Sequence, residues 1–131
     1  MPRFSRASTH QLRTCDQRLQ DLFQEVVKRY DCTIIKGHRG QREQDQAFAE
    51  GKSKLKWPNG NHNQYPSKAL DAAPYPIDWN NMKRFYHFAG YVQRVAEEMG
   101  IPLRWGGDWD GDLDFSDQTF NDLVHFEIKE N

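Results

Sequence analysis

The chain has few cysteines, no long apolar run and no excess of one charge, and each shortage excludes a class of protein. Its two cysteines, Cys15 and Cys32, lack the spacing of a metal site. We expect two buried thiols, with a disulfide as the alternative. No apolar run approaches the roughly 18 residues that a membrane-spanning helix requires. Basic residues number 18 against 19 acidic ones, so the charge balance indicates neither a nucleic-acid partner nor stable membrane association.

A length of 131 residues suits one domain with a real core, and we expect a single domain. The start of the chain, Met1 to Arg6, is followed by polar residues and lacks the apolar middle of a signal peptide. We therefore expect synthesis in a cytoplasm without export by the usual secretory route.

Hydrophobic periodicity predicts three helices and four short strands. The first helix has an apolar stripe typical of a core-facing helix, with Ser8 as its predicted N-cap. The predicted helices cover 8–30, 41–50 and 78–99, and the predicted strands cover 32–35, 68–73, 103–105 and 123–128. Their interspersed order favours an α+β fold with a small antiparallel sheet flanked by helices.

Two histidines and one aspartate are placed so that they can hold one metal ion. A strand puts alternate side chains on one face, so Asp71 can point into a cleft beside His125 and Glu127 of a neighbouring strand. His62, in the preceding loop, can supply a third ligand. Catalytic zinc commonly takes three such ligands and leaves a fourth position for water. A loop histidine is more often a surface residue, so spacing alone leaves both interpretations open.

Three segments of the chain match the motifs of one enzyme family. They are SKALDAAPY at 67–75, RWGGDW at 104–109 and DLVHFE at 122–127. In this order they resemble the zinc peptidases of peptidoglycan, which include D-alanyl-D-alanine carboxypeptidases and phage L-alanyl-D-glutamate endopeptidases. The resemblance covers about 33–128 and is strongest to short phage endolysins. It implies the zinc D-alanyl-D-alanine carboxypeptidase or hedgehog-like fold, and one zinc peptidase domain over 1–131 without a separate cell-wall-binding domain.

The resemblance also implies roles for individual residues. His62, Asp71 and His125 would hold Zn²⁺, and Asp122 would act as general base and then general acid. Arg39 matches the family's active-site arginine, which would grip a stem carboxylate or stabilise the tetrahedral intermediate.

Two details extend or modify that pattern. Glu127 lies two residues after His125 and is expected to orient a metal ligand. His62 lies nine positions before Asp71, a longer spacing than the family's usual motif has, and Ser67 stands where that motif has glycine. An expanded loop around 65–66 would account for the longer spacing.

A second set of carboxylates, in the loop over 106–117, alternates around a glycine. Alternating oxygen donors of this kind wrap Ca²⁺ in calcium-binding loops, although the EF-hand positions of glycine and glutamate are not matched. We expect either a calcium site or a solvated acidic turn. The candidate ligands are Asp108, Asp110, Asp112 and Asp114.

The leading functional hypothesis is a zinc metallopeptidase that hydrolyses the L-alanyl-D-glutamate bond of peptidoglycan during host lysis. The alternatives are a D-alanyl-D-alanine carboxypeptidase, a non-catalytic zinc-containing wall-binding module, and a wall glycosidase with two carboxylates. For the leading hypothesis we expect a monomer, made in the host cytoplasm and acting on peptidoglycan in the periplasm. A holin partner is expected to give it access.

Overall fold

The computed structural model describes residues 2–113 and 122–130. Within these two ranges the chain forms four α-helices, one short 3₁₀-helix and four strands. In chain order they are α1 (Arg6–Leu12), α2 (Gln17–Val27), β1 (Cys32–Lys36), α3 (Gln41–Ala49), the 3₁₀-helix (Asn61–Asn63), β2 (Ala69–Pro74), α4 (Met82–Glu98), β3 (Leu103–Trp105) and β4 (His125–Ile128). No helix in these ranges is both long and apolar enough to cross a membrane.

The predicted α+β fold with a small antiparallel sheet is confirmed. The strands lie in the order β1-β2-β4-β3, and each neighbouring pair is antiparallel. Within the β2–β4 pair Asp71 lies opposite His125, and Ala69 lies opposite Glu127. The register therefore brings a carboxylate and an imidazole from distant parts of the sequence onto adjacent strands.

One face of this sheet packs against helices and the other carries the polar side chains. The fully buried ring of Phe126 in β4 meets Phe23 of α2 at 5.6 Å and Phe88 of α4 at 6.1 Å between ring centroids. Since side chains alternate along a strand, the neighbours of Phe126 point away from this aromatic core. Core packing on one face thus directs His125 and Glu127 to the other.

The prediction of one continuous helix over 8–30 is wrong, because the chain breaks into α1 and α2. Backbone groups in the break pair with Ser67 instead of continuing the helix: Asp16 N donates to Ser67 O, and Ser67 N donates to Thr14 O, both at 2.8 Å. Asp16 then caps α2 by accepting a hydrogen bond from Arg18 N at 2.8 Å. The apolar stripe stays in phase across the break, so periodicity does not reveal it.

Two predicted helix starts are also displaced. Ser5, not Ser8, caps α1 by accepting a hydrogen bond from Ser8 N at 3.1 Å, while Ser8 itself is buried. At the third helix, Asp78 accepts a hydrogen bond from Asn80 N at 3.0 Å and so closes a turn ahead of the helix. The helix α4 begins only at Met82.

The two cysteines are buried free thiols, as expected. Burial raises the pKa of both Cys15 and Cys32 to about 12. Both thiols therefore stay protonated and unreactive near neutral pH.

Candidate metal centre

The centre is built on the antiparallel pair of β2 and β4. His125 Nδ1 lies 3.6 Å from Asp71 Oδ1. Both side chains belong to the sheet face opposite the aromatic core, and both are largely shielded from solvent. The pairing of two strands therefore supplies two of the three predicted ligands.

His62 reaches the same point from the 3₁₀-helix. Its Nδ1 lies 2.8 Å from the Gly37 carbonyl, which can only accept, so Nδ1 carries the proton and donates. This leaves the lone pair of Nε2 facing Asp71 Oδ1, at 3.2 Å. Gly37 packs so closely against α1 that a Cβ there would overlap the Gln11 carbonyl oxygen. Glycine thus permits the backbone approach that orients His62.

His125 is oriented by Glu127. The Glu127 Oε1 atom accepts a hydrogen bond from His125 Nε2 at 2.7 Å, which turns Nδ1 toward Asp71 as the nitrogen that would bind a cation. Arg104 holds the other oxygen of Glu127, with its Nη2 atom 2.9 Å and its Nε atom 3.1 Å from Oε2. Although burial opposes ionisation, His125 and Arg104 keep the pKa of Glu127 below its usual value.

These three side chains fit a divalent cation. One ligand atom from each of His62, Asp71 and His125 lies within 4.8 Å of the others. Within the described residues, His62 Nε2 and Asp71 Oδ1 are buried without a hydrogen-bond partner despite their short separation. Buried polar atoms are rarely left unpaired, and two imidazole nitrogens with one carboxylate oxygen suit zinc. The unpaired atoms and the donor set both match a metal-binding arrangement.

The side chains of the centre themselves place a carboxylate between two histidines. Burial alone would raise the pKa of Asp71, but His62 and His125 lower it well below its usual range. Burial likewise opposes a charge on His125, but Asp71 and Glu127 raise its pKa to about 9. Since a metal ligand must be a neutral imidazole, a bound cation would displace this proton.

Asp122 lies at the edge of the centre, with Oδ2 4.0 Å from His125 Nδ1. Burial, followed by the negative charge of Asp71, raises its pKa above that of an ordinary aspartate. Its backbone is tied to Gly106, because Asp122 N donates to Gly106 O at 3.0 Å. A Cβ at Gly106 would overlap the Asp122 carbonyl oxygen, so this contact requires glycine.

Arg39 borders the centre from the segment after β1. Its Nη2 atom lies 3.6 Å from Asp71 Oδ2, and its Nη1 atom donates to Gln44 Oε1 at 3.1 Å. Gln44 is fully buried in α3 and also accepts from Asn63 Nδ2 at 3.0 Å. One buried amide therefore links Arg39 to the 3₁₀-helix that carries His62.

The acidic loop forms a second carboxylate cluster. One oxygen each from Asp108, Asp110 and Asp112 lies within 4.8 Å of the others. Asp108 is only 2% exposed, and its Oδ1 has no hydrogen-bond partner among the residues that the structure describes, while its Oδ2 accepts from Leu113 N at 3.0 Å. Burial first, and then the neighbouring carboxylates, raise the pKa of Asp108. Asp114, the fourth predicted ligand, lies outside the described residues.

Two grooves open at the candidate centre, and Arg39, Lys52 and Asp122 line both. The first, here called the lysine groove, is further lined by Lys54, His62, Trp109, His125 and Glu127. The second, here called the tryptophan groove, is further lined by Ala47, Asp71, Trp79 and Val124. The two grooves therefore meet at the candidate centre, where they share these three residues.

The structure brings together every candidate residue of the centre, namely Arg39, His62, Asp71, Asp122, His125 and Glu127. Sequence reasoning missed Gln44 and Arg104, which position Arg39 and Glu127. Arg104 begins the RWGGDW segment, so a signal for it was present. Gln44 lies in an unremarkable helical stretch, and its burial depends on tertiary packing that no local pattern shows.

The fold is shared with a solved peptidase. The structure is similar to the crystal structure of the Serratia marcescens L-Ala D-Glu endopeptidase ChiX, with a TM-score of 0.77 and 22% sequence identity, over 98% of this chain and 91% of that chain. At this level of identity the likeness establishes the fold. This chain therefore has a fold that is also found in a peptidase. The candidate metal centre lies on the sheet face opposite the aromatic core.

The sequence comparisons identify the family within this class. A family model described as phage L-alanyl-D-glutamate peptidase matches residues 1–129. The chain is also 33% identical, over 121 residues, to the L-alanyl-D-glutamate peptidase of Escherichia phage T5, covering 88% of each protein. The chain belongs to the phage L-alanyl-D-glutamate peptidase family.

Proposed function

We propose that this protein is a zinc metallopeptidase that hydrolyses the L-alanyl-D-glutamate bond in the stem peptide of bacterial peptidoglycan. The observation that carries the proposal is the convergence of His62, Asp71 and His125, with two buried ligand atoms that lack hydrogen-bond partners in the described part of the chain. The family of the chain, and the printed activity of its phage T5 relative, support this choice of bond.

In this proposal His62 binds the ion through Nε2, His125 through Nδ1, and Asp71 through its carboxylate. The hydrogen bonds to Gly37 and Glu127 select these two nitrogens. A zinc ion held there supplies Lewis acidity, which polarises a carbonyl and acidifies water.

Asp122 moves the proton in the proposed reaction. It accepts a proton from the attacking water and delivers it to the leaving amine of D-glutamate. Its raised pKa suits this task, because a carboxylate with a higher pKa is a better base and a more available acid. Its position beside His125 keeps it close to the place where the ion would bind.

Arg39 has the proposed role of binding negative charge. Its guanidinium is held by Gln44 and Asp71 at the junction of the two grooves. From there it would stabilise the oxyanion of the tetrahedral intermediate or grip a carboxylate of the stem peptide.

We also propose that Asp108, Asp110, Asp112 and Asp114 bind Ca²⁺. The buried, unpaired Oδ1 of Asp108 supports this, because a cation would satisfy it. Since Gly106, at the start of this loop, contacts Asp122, a cation bound in the loop would steady the proposed base. Adding Ca²⁺ to EDTA-stripped, zinc-restored enzyme should raise activity, and the absence of any response would refute the regulatory role.

The substrate also determines where the protein would act. Peptidoglycan lies outside the inner membrane, so we propose action in the periplasm after release through a holin partner. Phage membership of the family supports this route. Deleting a holin gene from a phage that encodes the protein should delay lysis without changing activity on purified walls.

Digestion of purified peptidoglycan, followed by mass spectrometry of the released fragments, tests the proposed activity. We expect new amino-terminal D-glutamate on the freed peptides, and its loss after chelation. Freed D-alanine would instead indicate a carboxypeptidase, and new reducing sugar ends would indicate a glycosidase. Wall binding without any released fragment would indicate a non-catalytic module.

A further inference from the structure

Trp79 is an exposed aromatic side chain with a fixed ring. Its exposed fraction is 60%, although most large apolar side chains in the described residues are buried or half-buried. The indole stacks on Phe85 of α4, with ring centroids 5.6 Å apart and an interplanar angle of 17°. Phe85 is only 3% exposed, so the indole lies on a rigid support.

The loop that carries Trp79 is held in place on both sides of the residue. Arg84 donates to the Pro76 carbonyl at 2.6 Å and to the Tyr75 carbonyl at 3.1 Å. Across Trp79 itself, the Asp78 carboxylate accepts a hydrogen bond from Asn80 N at 3.0 Å. A loop secured in this way presents the ring without a large ordering cost on binding.

Trp79 also belongs to the proposed active site by position. It lines the tryptophan groove together with Asp71, which is a proposed metal ligand, and Asp122, the proposed base. The groove is therefore continuous with the candidate centre, and a substrate that fills it can contact both the indole and the centre.

The chemistry of the substrate indicates what that occupant is. This inference rests on the proposed function. In peptidoglycan the L-alanine nitrogen is joined to the lactyl group of N-acetylmuramic acid, so one amino acid and one lactyl group separate the scissile bond from the sugar ring. Two units of this size span at most about 7 Å, which keeps the glycan strand close to the centre. Sugars present apolar C–H faces that pack well on flat aromatic rings, whereas the stem peptide is rich in carboxylates.

We propose that Trp79 is a stacking platform for the N-acetylmuramic acid residue that bears the scissile stem peptide. The sugar and L-alanine then occupy the tryptophan groove, and D-glutamate and the following residues extend into the lysine groove. Lys54, which lines the lysine groove but not the tryptophan groove, suits the carboxylates on that side. Trp79 is a specificity residue in this arrangement, since it recognises the glycan that carries the bond.

A pair of substrates tests this proposal. One is a disaccharide-tripeptide with the glycan attached, and the other is the same tripeptide with a simple acetyl group on L-alanine. For Trp79→Ala we expect the ratio of the first KM to the second to rise about tenfold over wild type. Trp79→Phe keeps an aromatic ring, so its KM ratio should stay close to the wild-type ratio. Tyr65→Ala removes an exposed ring that lines neither groove and should leave the ratio unchanged. An unchanged ratio in Trp79→Ala would overturn the proposal.

A second measurement does not depend on catalysis. The protein has four tryptophans, and the indole N–H signal of Trp79 can be assigned by its loss in Trp79→Phe. Titration with the peptide-free disaccharide of N-acetylglucosamine and N-acetylmuramic acid should shift this signal in a saturable way. If the signal stays fixed, the glycan platform is wrong even when the peptidase activity is present. If it shifts while neither substrate is cut, the platform stands and the proposed activity fails.

Discussion

Glu127 accepts a hydrogen bond from His125 Nε2 at 2.7 Å and thereby determines which ring nitrogen of His125 faces Asp71. The same carboxylate is held by Arg104, so the orientation of one proposed ligand depends on an ion pair that reaches across to β3. Ligand geometry is thus set by residues that would not touch the ion.

Replacing Glu127 by Gln should weaken zinc binding. The amide is neutral and can present either a donor or an acceptor to His125, so the ring loses its fixed orientation. We expect zinc affinity to fall about 10- to 100-fold, measured by competition with a chelator. Glu25→Gln, which alters an exposed carboxylate paired with Lys28, is the matched control. Equal affinities for Glu127→Gln and wild type would show that Glu127 does not orient the ligand.

Asp122→Asn should slow turnover and leave zinc bound. The amide cannot accept a proton from water, so we expect kcat to fall about 10²- to 10⁴-fold. Zinc content should stay at the wild-type value because Asp122 is not a proposed ligand. Asp45→Asn, at an exposed position of α3, should retain full activity. A normal kcat in Asp122→Asn would remove Asp122 from the mechanism.

Gly106→Ala should displace Asp122 and destabilise the protein. The added Cβ overlaps the Asp122 carbonyl oxygen, so we expect a loss of about 1–3 kcal/mol in the free energy of unfolding and a lower kcat. Gly90→Ala is the control, since a Cβ on that helical glycine meets nothing within 4 Å. It should stabilise the protein by about 0.5–1 kcal/mol, as measured by chemical denaturation, with activity unchanged. Equal stability of the two variants would contradict the close contact between Gly106 and the Asp122 carbonyl.

The metal-free protein should lose stability as the pH rises from neutrality. The folded-state pKa of His125 is raised from 6.5 to about 9, so its contribution is fully present below 6.5 and is lost as pH rises through 9. The pKa of Asp71 is lowered, so its contribution is lost only in acid and does not vary in this window. We expect the free energy of unfolding to fall by roughly 3 kcal/mol between pH 6.5 and 9.

Denaturant titrations of EDTA-treated protein at several pH values measure this slope. His125→Asn has no titrating imidazole at this position and should show a flatter profile over the same range. A wild-type profile that stays level, or that rises with pH, would mean that His125 is not held protonated between Asp71 and Glu127.

Local patterns and motif order predicted the strands, the sheet class and the residues that the structure brings together at the centre. Period-two alternation in β2 and β4 is a local property, and the motifs mark Asp71 and His125 directly, whereas His62 was assigned by resemblance despite its longer spacing. The break between α1 and α2 was not predictable in this way, because Ser67 competes for the backbone groups from more than fifty positions away. Gln44 and Arg104 escaped notice for a similar reason, since their partners are chosen by tertiary packing.

The most direct test of the account is the zinc content of the purified protein, measured by elemental analysis for wild type and for three single variants. His62→Ala, Asp71→Ala and His125→Ala each remove one proposed ligand, and circular dichroism confirms that each variant is folded. We predict one zinc ion per wild-type chain that chelation removes together with activity, and a clear loss of zinc in every variant. Wild-type protein that is active without zinc, or variants that keep a full equivalent, would contradict the central claim.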